Sequence, residues 1–150
     1  MTHEYVIATG GVILAADPGG PGESSTAIAW AADRVLAVGS DEVVRAISRG
    51  DSTFIDLGGC VVTQLPGDLP LAEHRLREVG VASGPLDVIA SIARAGLFDP
   101  SPTLEPGTVA DLAFWRAGPE GPPRLVAVVR SGGFTEGDEH RGPFPRARAG

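Results

Sequence analysis

Short apolar, β-branched runs broken by glycine and proline constrain this chain more than any other feature. Such runs fit a pleated, half-buried surface, and a break every few residues leaves little room for long helices. Residues 5–16 (YVIATGGVILAA) read as a strand, a kink or tight turn at Gly10-Gly11, and a second strand. The stretch 17–23 (DPGGPGE) is loop chemistry. Thr26, Ile28 and Trp30 alternate with Ala27, Ala29 and Ala31, which sets bulky side chains on one face and small ones on the other. Asp33-Arg34 is placed to turn the chain, and Val35 to Val38 continue as the second arm of a hairpin. Residues 53–57 form the next strand, Gly58-Gly59 a turn, and Cys60 to Gln64 another strand. Two last strands are expected near 109–116 and 124–131, joined by the loop 118–123 (GPEGPP).

Helical signals are few. Ser40 is a suitable N-cap for a helix over 41–49, with Asp41 and Glu42 at its positive end and Arg45 and Arg49 at its negative end. Val43, Val44 and Ile47 give it an apolar face, and Gly50 can close it. From Pro66 the character changes. Residues 66–84 read as a polar connector with one helical turn at 71–78. Pro85 suits the first turn of a second helix, 85–96, with Leu86, Ile89, Ile92 and Ala93 as its buried stripe. Pro100, Pro102 and Pro106 impose a loop, and the polar, proline-rich tail from Gly137 is expected to be disordered.

The expected fold is therefore mainly β: two small sheets packed as a β-sandwich, with two short helices at one side or end. It forms a single domain over 1–135, with an N-terminal segment (1–65), the connector (66–84) and a C-terminal segment (85–135). At 150 residues the chain is too short for a (β/α)8 barrel, which needs about 200–250. The net charge of −7 argues against nucleic acid as a partner. No apolar run approaches the roughly 20 residues of a membrane span, and no signal peptide opens the chain. The single cysteine, Cys60, excludes an internal disulfide and suits a reducing cytoplasm.

Two blocks of residues go further. The first runs Val35-Leu36-Ala37-Val38-Gly39, Ser40-Asp41-Glu42, Ile55-Asp56-Leu57-Gly58-Gly59 and Leu65-Pro66-Gly67. The second runs Leu104-Glu105-Pro106-Gly107-Thr108-Val109-Ala110-Asp111-Leu112, followed by Val126 to Gly133 (VAVVRSGG). Together they resemble the amidohydrolase superfamily of metal-dependent hydrolases, over roughly 5–67 and 85–135. In that family the two blocks come from opposite chain ends and build a small β-sandwich, the composite domain, beside the catalytic barrel. Here only about 20 residues separate Gly67 from Leu86, against roughly 250 for a barrel. The resemblance therefore implies a composite domain with the catalytic barrel missing.

The resemblance also implies a metal centre opening with an H-x-H pair just after P-G, since two imidazoles on one strand face can grip a divalent ion. Here Pro66-Gly67 is followed by Asp68, and the next histidine is His74, in Glu73-His74-Arg75. The chain holds three histidines (His3, His74, His140) and no lysine, all twelve basic residues being arginine. Neither the family's four-histidine set nor its bridging lysine carbamate can be assembled from that inventory. Asp111 matches the family's A-D in the sandwich, a structural position.

Other groups have plainer readings. His74 with Glu73 and Asp68 belongs to a solvated connector, and His140 with Asp138 and Glu139 to the tail. Cys60 reads as a small buried apolar residue. Ser24, Ser25 and Ser131 lack a G-x-S-x-G setting, and Gly10-Gly11 and Gly19 to Gly22 lack a phosphate-loop pattern. Trp30 and Trp115 belong to core or interface. No catalytic, cofactor-binding or metal-binding residue is assigned, and no cofactor is expected.

The expected role is a non-catalytic binding or assembly module of amidohydrolase-like ancestry. Loss of the barrel would leave an apolar face for a protein partner or a homodimer, to the extent that the connector and helix 85–96 leave it open. The alternative is a hydrolase of non-peptide carbon–nitrogen bonds, relying on a partner chain or an unrecognised metal site. A decayed remnant without a selected role is a third reading. Strands before residue 65 should pair with strands after 108, which makes folding slow relative to a helical protein. A fragment ending near residue 100 should accordingly show no cooperative thermal melt by circular dichroism; a cooperative melt would refute the composite arrangement.

Overall fold

The computed structural model describes residues 5–13, 25–48, 52–65, 69–79, 107–116, 124–135 and 144. Nine strands and two helices occur among them: β1 (Tyr5–Thr9), β2 (Val12–Ile13), β3 (Ala27–Ala31), β4 (Arg34–Gly39), α1 (Asp41–Arg45), β5 (Thr53–Asp56), β6 (Val61–Gln64), α2 (Leu69–Val79), β7 (Leu112–Arg116), β8 (Arg124–Arg130) and β9 (Gly133–Phe134). The fold is mainly β, in two sheets, with no (β/α)8 barrel among the described residues. One sheet has the order β4-β3-β1-β5 and the other β2-β6-β7-β8-β9. The expected helix 85–96, the loops 17–23 and 118–123, the prolines at 100, 102 and 106, and the tail apart from Phe144 lie outside the described residues.

The sheets share strands that change partners. β1 runs parallel to β5 in the first sheet, and their continuations β2 and β6 run parallel in the second. Each chain segment crosses at a glycine pair, Gly10-Gly11 or Gly58-Gly59, and the corners are bonded to each other. Gly59 N donates to Gly10 O at 2.8 Å, Leu57 N to Thr9 O at 2.9 Å, and Val12 N to Cys60 O at 2.9 Å. Strands that switch sheets at a bend are how sandwich corners are made. Gly10 adopts a left-handed φ of 75°. Gly11 is needed for space, because a Cβ there would lie 2.6 Å from Leu57 Cδ1 and 2.9 Å from Cys60 O.

Between the sheets lies the main core. Val6, Ala8, Ile28, Trp30, Val35 and Ile55 from the first sheet meet Ile13, Val62, Leu112, Phe114, Val129 and Phe134 from the second, and all are buried. The alternation in β3 holds: Ile28 and Trp30 face this core, while Ala27 and Ala29 face outward to Ile7 and Val44 of α1. Small alanines on that face let α1 approach closely. β4 departs from strict alternation because its pairing with β3 shifts register at Ala29/Trp30, so that Trp30 faces Val35 while Ala29 faces Ala37. Leu36 is the extra residue of this bulge, and Leu36 and Ala37 both pack on the α1 side. A matching shift lies opposite Trp115, with Val126 as the extra residue.

Local boundaries follow physical causes. The hairpin loop falls at Ala32-Asp33, one residue earlier than expected, with Ala31 paired to Arg34 and Ala32 at a left-handed φ of 53°. α1 is shorter than the expected 41–49. Ser40 caps it by accepting from Val43 N, but Ile47 N and Ser48 N bond to the carbonyls three residues back, tightening the end out of α-helical geometry. The connector holds a full helix, α2, longer than the single expected turn. Pro70 suits a first helical turn, and His74 and Glu78 form an i,i+4 pair. β7 begins at Leu112, because Val109 makes only an isolated bridge to Arg34. None of the described helices is long and apolar enough to cross a membrane.

The two chain halves close on each other in two places. β6 pairs directly with β7, from Val61↔Trp115 to Gln64↔Leu112, with Leu65 N donating to Asp111 O at 2.9 Å. At one rim, Val35 N donates to Thr108 O and Ala110 N to Asp33 O, both at 2.8 Å. Trp30 Nε1 donates to Gly132 O at 2.9 Å.

Replacing Gly11 with alanine should destabilise the protein by about 1–3 kcal/mol through overpacking at the corner, read as a lower urea midpoint. An unchanged midpoint would mean that Leu57 moves aside freely.

Candidate functional site

Three aspartates of the two sheets and α1 are held by backbone amides. Asp56 Oδ1 accepts from Gly58 N at 2.9 Å, closing the turn into β6. Asp111 Oδ1 accepts from Ser131 N at 2.7 Å, holding Ser131 at its left-handed φ of 49°. Asp41 Oδ1 accepts from Thr26 Oγ1 at 2.8 Å and from Gly10 N at 3.2 Å, while Asp41 N donates back to Thr26 Oγ1 at 3.1 Å. Asp41 thus ties α1 to β3 and to the first corner. These are the roles of turn and helix-end caps, where short acidic side chains satisfy amides that the ladders leave free.

Nothing among the described residues gathers three or more histidine, cysteine, aspartate or glutamate side chains into a metal-sized group. His74 Nε2 lies 3.0 Å from Glu78 Oε1 on the exposed surface of α2, and Glu73 is half-buried on the same helix. Asp68 and the tail cluster Asp138, Glu139 and His140 lie outside the described residues, as do His3, Ser24 and Gly19 to Gly22. Ser25 makes an isolated bridge to Ile13 through its backbone.

Cys60 is the one nucleophilic thiol, and it is fully buried at the end of the Gly58-Gly59 turn. Burial pushes its thiol above the ordinary 9.0; the Arg116 guanidinium beside it pulls the other way, and Asp56 adds to the rise. A buried, protonated thiol is a poor nucleophile. Arg116 also donates through Nη2 to Leu57 O at 3.3 Å, bracing the same turn from β7. Sequence reasoning did not single out Arg116. Positions 60 and 116 meet only because Val61 pairs with Trp115, and neither position carries a local signal of that pairing.

Both tryptophans are structural. Trp30 packs against Phe114 and Phe134, with ring centroids 6.5 and 6.0 Å away. Trp115 is fully buried on the opposite face of the second sheet, where Val61, Thr63 and Ala113 are buried too. Its Nε1 donates to Thr63 Oγ1 at 3.0 Å, and Thr63 Oγ1 donates on to Gln64 O at 3.0 Å. Gln64 Oε1, at the end of β6 and next to the connector, is buried without a hydrogen-bond partner among the described residues. The large hydrophobics exposed among the described residues are Val43 and Leu71. No protein-family model, curated protein or solved structure matches the chain.

Two outcomes follow. Because the folded thiol of Cys60 titrates above 9.0, its contribution to stability is fully present below pH 9. As pH rises past that value the unfolded thiol ionises first, so stability falls until the folded thiol also ionises. Urea midpoints measured from pH 7 to pH 10.5 should decline less steeply in Cys60→Ala than in the parent, and equal slopes would contradict this. Separately, Thr63→Val leaves the Trp115 indole N–H buried without an acceptor and should cost about 1–3 kcal/mol in urea unfolding.

Proposed function

We propose that the chain is a stand-alone sandwich of the composite-domain type found in amidohydrolases, acting in the cytoplasm as a non-catalytic binding or assembly module. The observation that carries this reading is the direct pairing of β6 with β7. It joins the segment ending in Leu65-Pro66-Gly67 to the segment starting at Gly107-Thr108-Val109-Ala110-Asp111, the two blocks that resemble the family. The capping roles of Asp56 and Asp111 support it further. They give a structural reason for an aspartate in each block without calling on catalysis. The inventory of three histidines and no lysine supports the non-catalytic half of the proposal.

The partner we propose is a protein, either a second copy of the chain as a homodimer or a different chain. Val43 and Leu71 give the described surface little apolar area for that contact, so on that surface it would rest mainly on polar groups. An acidic chain of net charge −7 gives nucleic acid no electrostatic attraction.

Light scattering of the purified protein, combined with elemental analysis, tests the proposal. The expected result is a mass above that of one chain, or a protein that co-purifies in fixed ratio, with no stoichiometric zinc, manganese or iron. Stoichiometric metal, together with amide hydrolysis lost in His74→Ala, would establish the hydrolase alternative instead.

A further inference from the structure

Phe144 lies ten residues beyond Phe134 and the end of β9, yet it is only 3% exposed and belongs to the core between the sheets. Its ring centroid is 5.1 Å from Phe114 and 6.0 Å from Phe134, at tilts of 55° and 58°. Those are tilted ring pairs at separations where aromatic contact is favourable. The two receiving rings are positioned independently of it. Phe114 is fixed in β7 between β6 and β8, and Phe134 in β9 by its pairing with Val129. The two rings pack on each other at 5.7 Å, and Trp30 backs both.

The residues on either side are Pro143 and Pro145. Proline has no backbone N–H, so neither can donate to a strand ladder. The Phe144 side chain is buried among the core rings, in the manner of an anchor residue seated in a pocket. We propose that Phe114 and Phe134 wall a preformed aromatic socket, and that Phe144 seats there as the anchor of a C-terminal segment, as a docked peptide's anchor would. The docking is a property of the segment and can be supplied from outside the chain.

The test uses the full chain carrying Phe144→Ala and a synthetic peptide of residues 142–150. A control peptide has alanine in place of its phenylalanine. The substitution should lower the melting midpoint by roughly 10 °C, as expected for emptying a buried aromatic site in a chain of this length. Millimolar peptide should restore at least half of that loss by mass action, and the control peptide should not. The parent protein, its socket filled, should show no shift with either peptide. The proposal is overturned if Phe144→Ala melts within about 1 °C of the parent, if the two peptides act alike, or if the parent responds as strongly as the variant. Should Phe144→Ala fail to fold, Phe144→Val empties only part of the socket; a smaller loss that the phenylalanine peptide restores and the control does not supports the proposal, and equal action of the two peptides overturns it.

Discussion

The two glycine corners set the geometry on which the remaining structure rests. Because Gly10-Gly11 and Gly58-Gly59 bend side by side, β1/β2 and β5/β6 leave the first sheet and enter the second together. The sheets are thereby covalently continuous along one edge, and the space between them is fixed before any side chain is chosen. Leu57 and Cys60, on either side of the second glycine pair, are fully buried there. Leu57 occupies the volume that a side chain at position 11 would need. The small residue in one segment and the large one in the other form a single packing decision, made between positions 46 apart in the chain (57 − 11).

Much of this was legible in the sequence because its cause is local. Ser40 followed by Asp41 and Glu42 announces a capped helix, and the Thr26–Ala31 alternation announces which face is buried. Both glycine pairs read as bends. What the sequence did not disclose depends on partners distant along the chain. The hairpin turns at Ala32-Asp33 in an arrangement where the Ala32 carbonyl abuts Gly132, so that a side chain at 132 would overlap it. The bulges at Leu36 and Val126 each lie beside the partner of a tryptophan on the facing strand, a pairing set by long-range register. Arg116 reaches Cys60 only through cross-strand register, and Phe144 sits in a stretch whose composition is that of a solvated tail.

The candidate site was legible mainly as an inventory. The count of imidazoles and the absence of lysine limit what chemistry the chain can host, whatever its fold. The structure adds where the acidic groups go. Asp41, Asp56 and Asp111 each accept from a backbone amide at a turn or helix start. A carboxylate so engaged defines backbone shape, and its exchange for a neutral residue would be felt first as a loosened corner. Asp56 and Asp111 are thus accounted for by architecture.

The pairing of β6 with β7 has a consequence during synthesis. The first sheet draws all its strands from residues before 57, so all of them are synthesised before β7. The second sheet at that stage has only β2 and β6, and the edge of β6 that β7 will cover is open. At about 5–20 residues per second, β7 arrives roughly 2–10 s later. For that interval the nascent chain displays an unpaired, valine-rich ribbon, the kind of edge that invites pairing with neighbouring polypeptides. Crowded polysomes and slow translation through 66–111 would lengthen the exposure, making the rate of elongation a determinant of how much protein escapes aggregation.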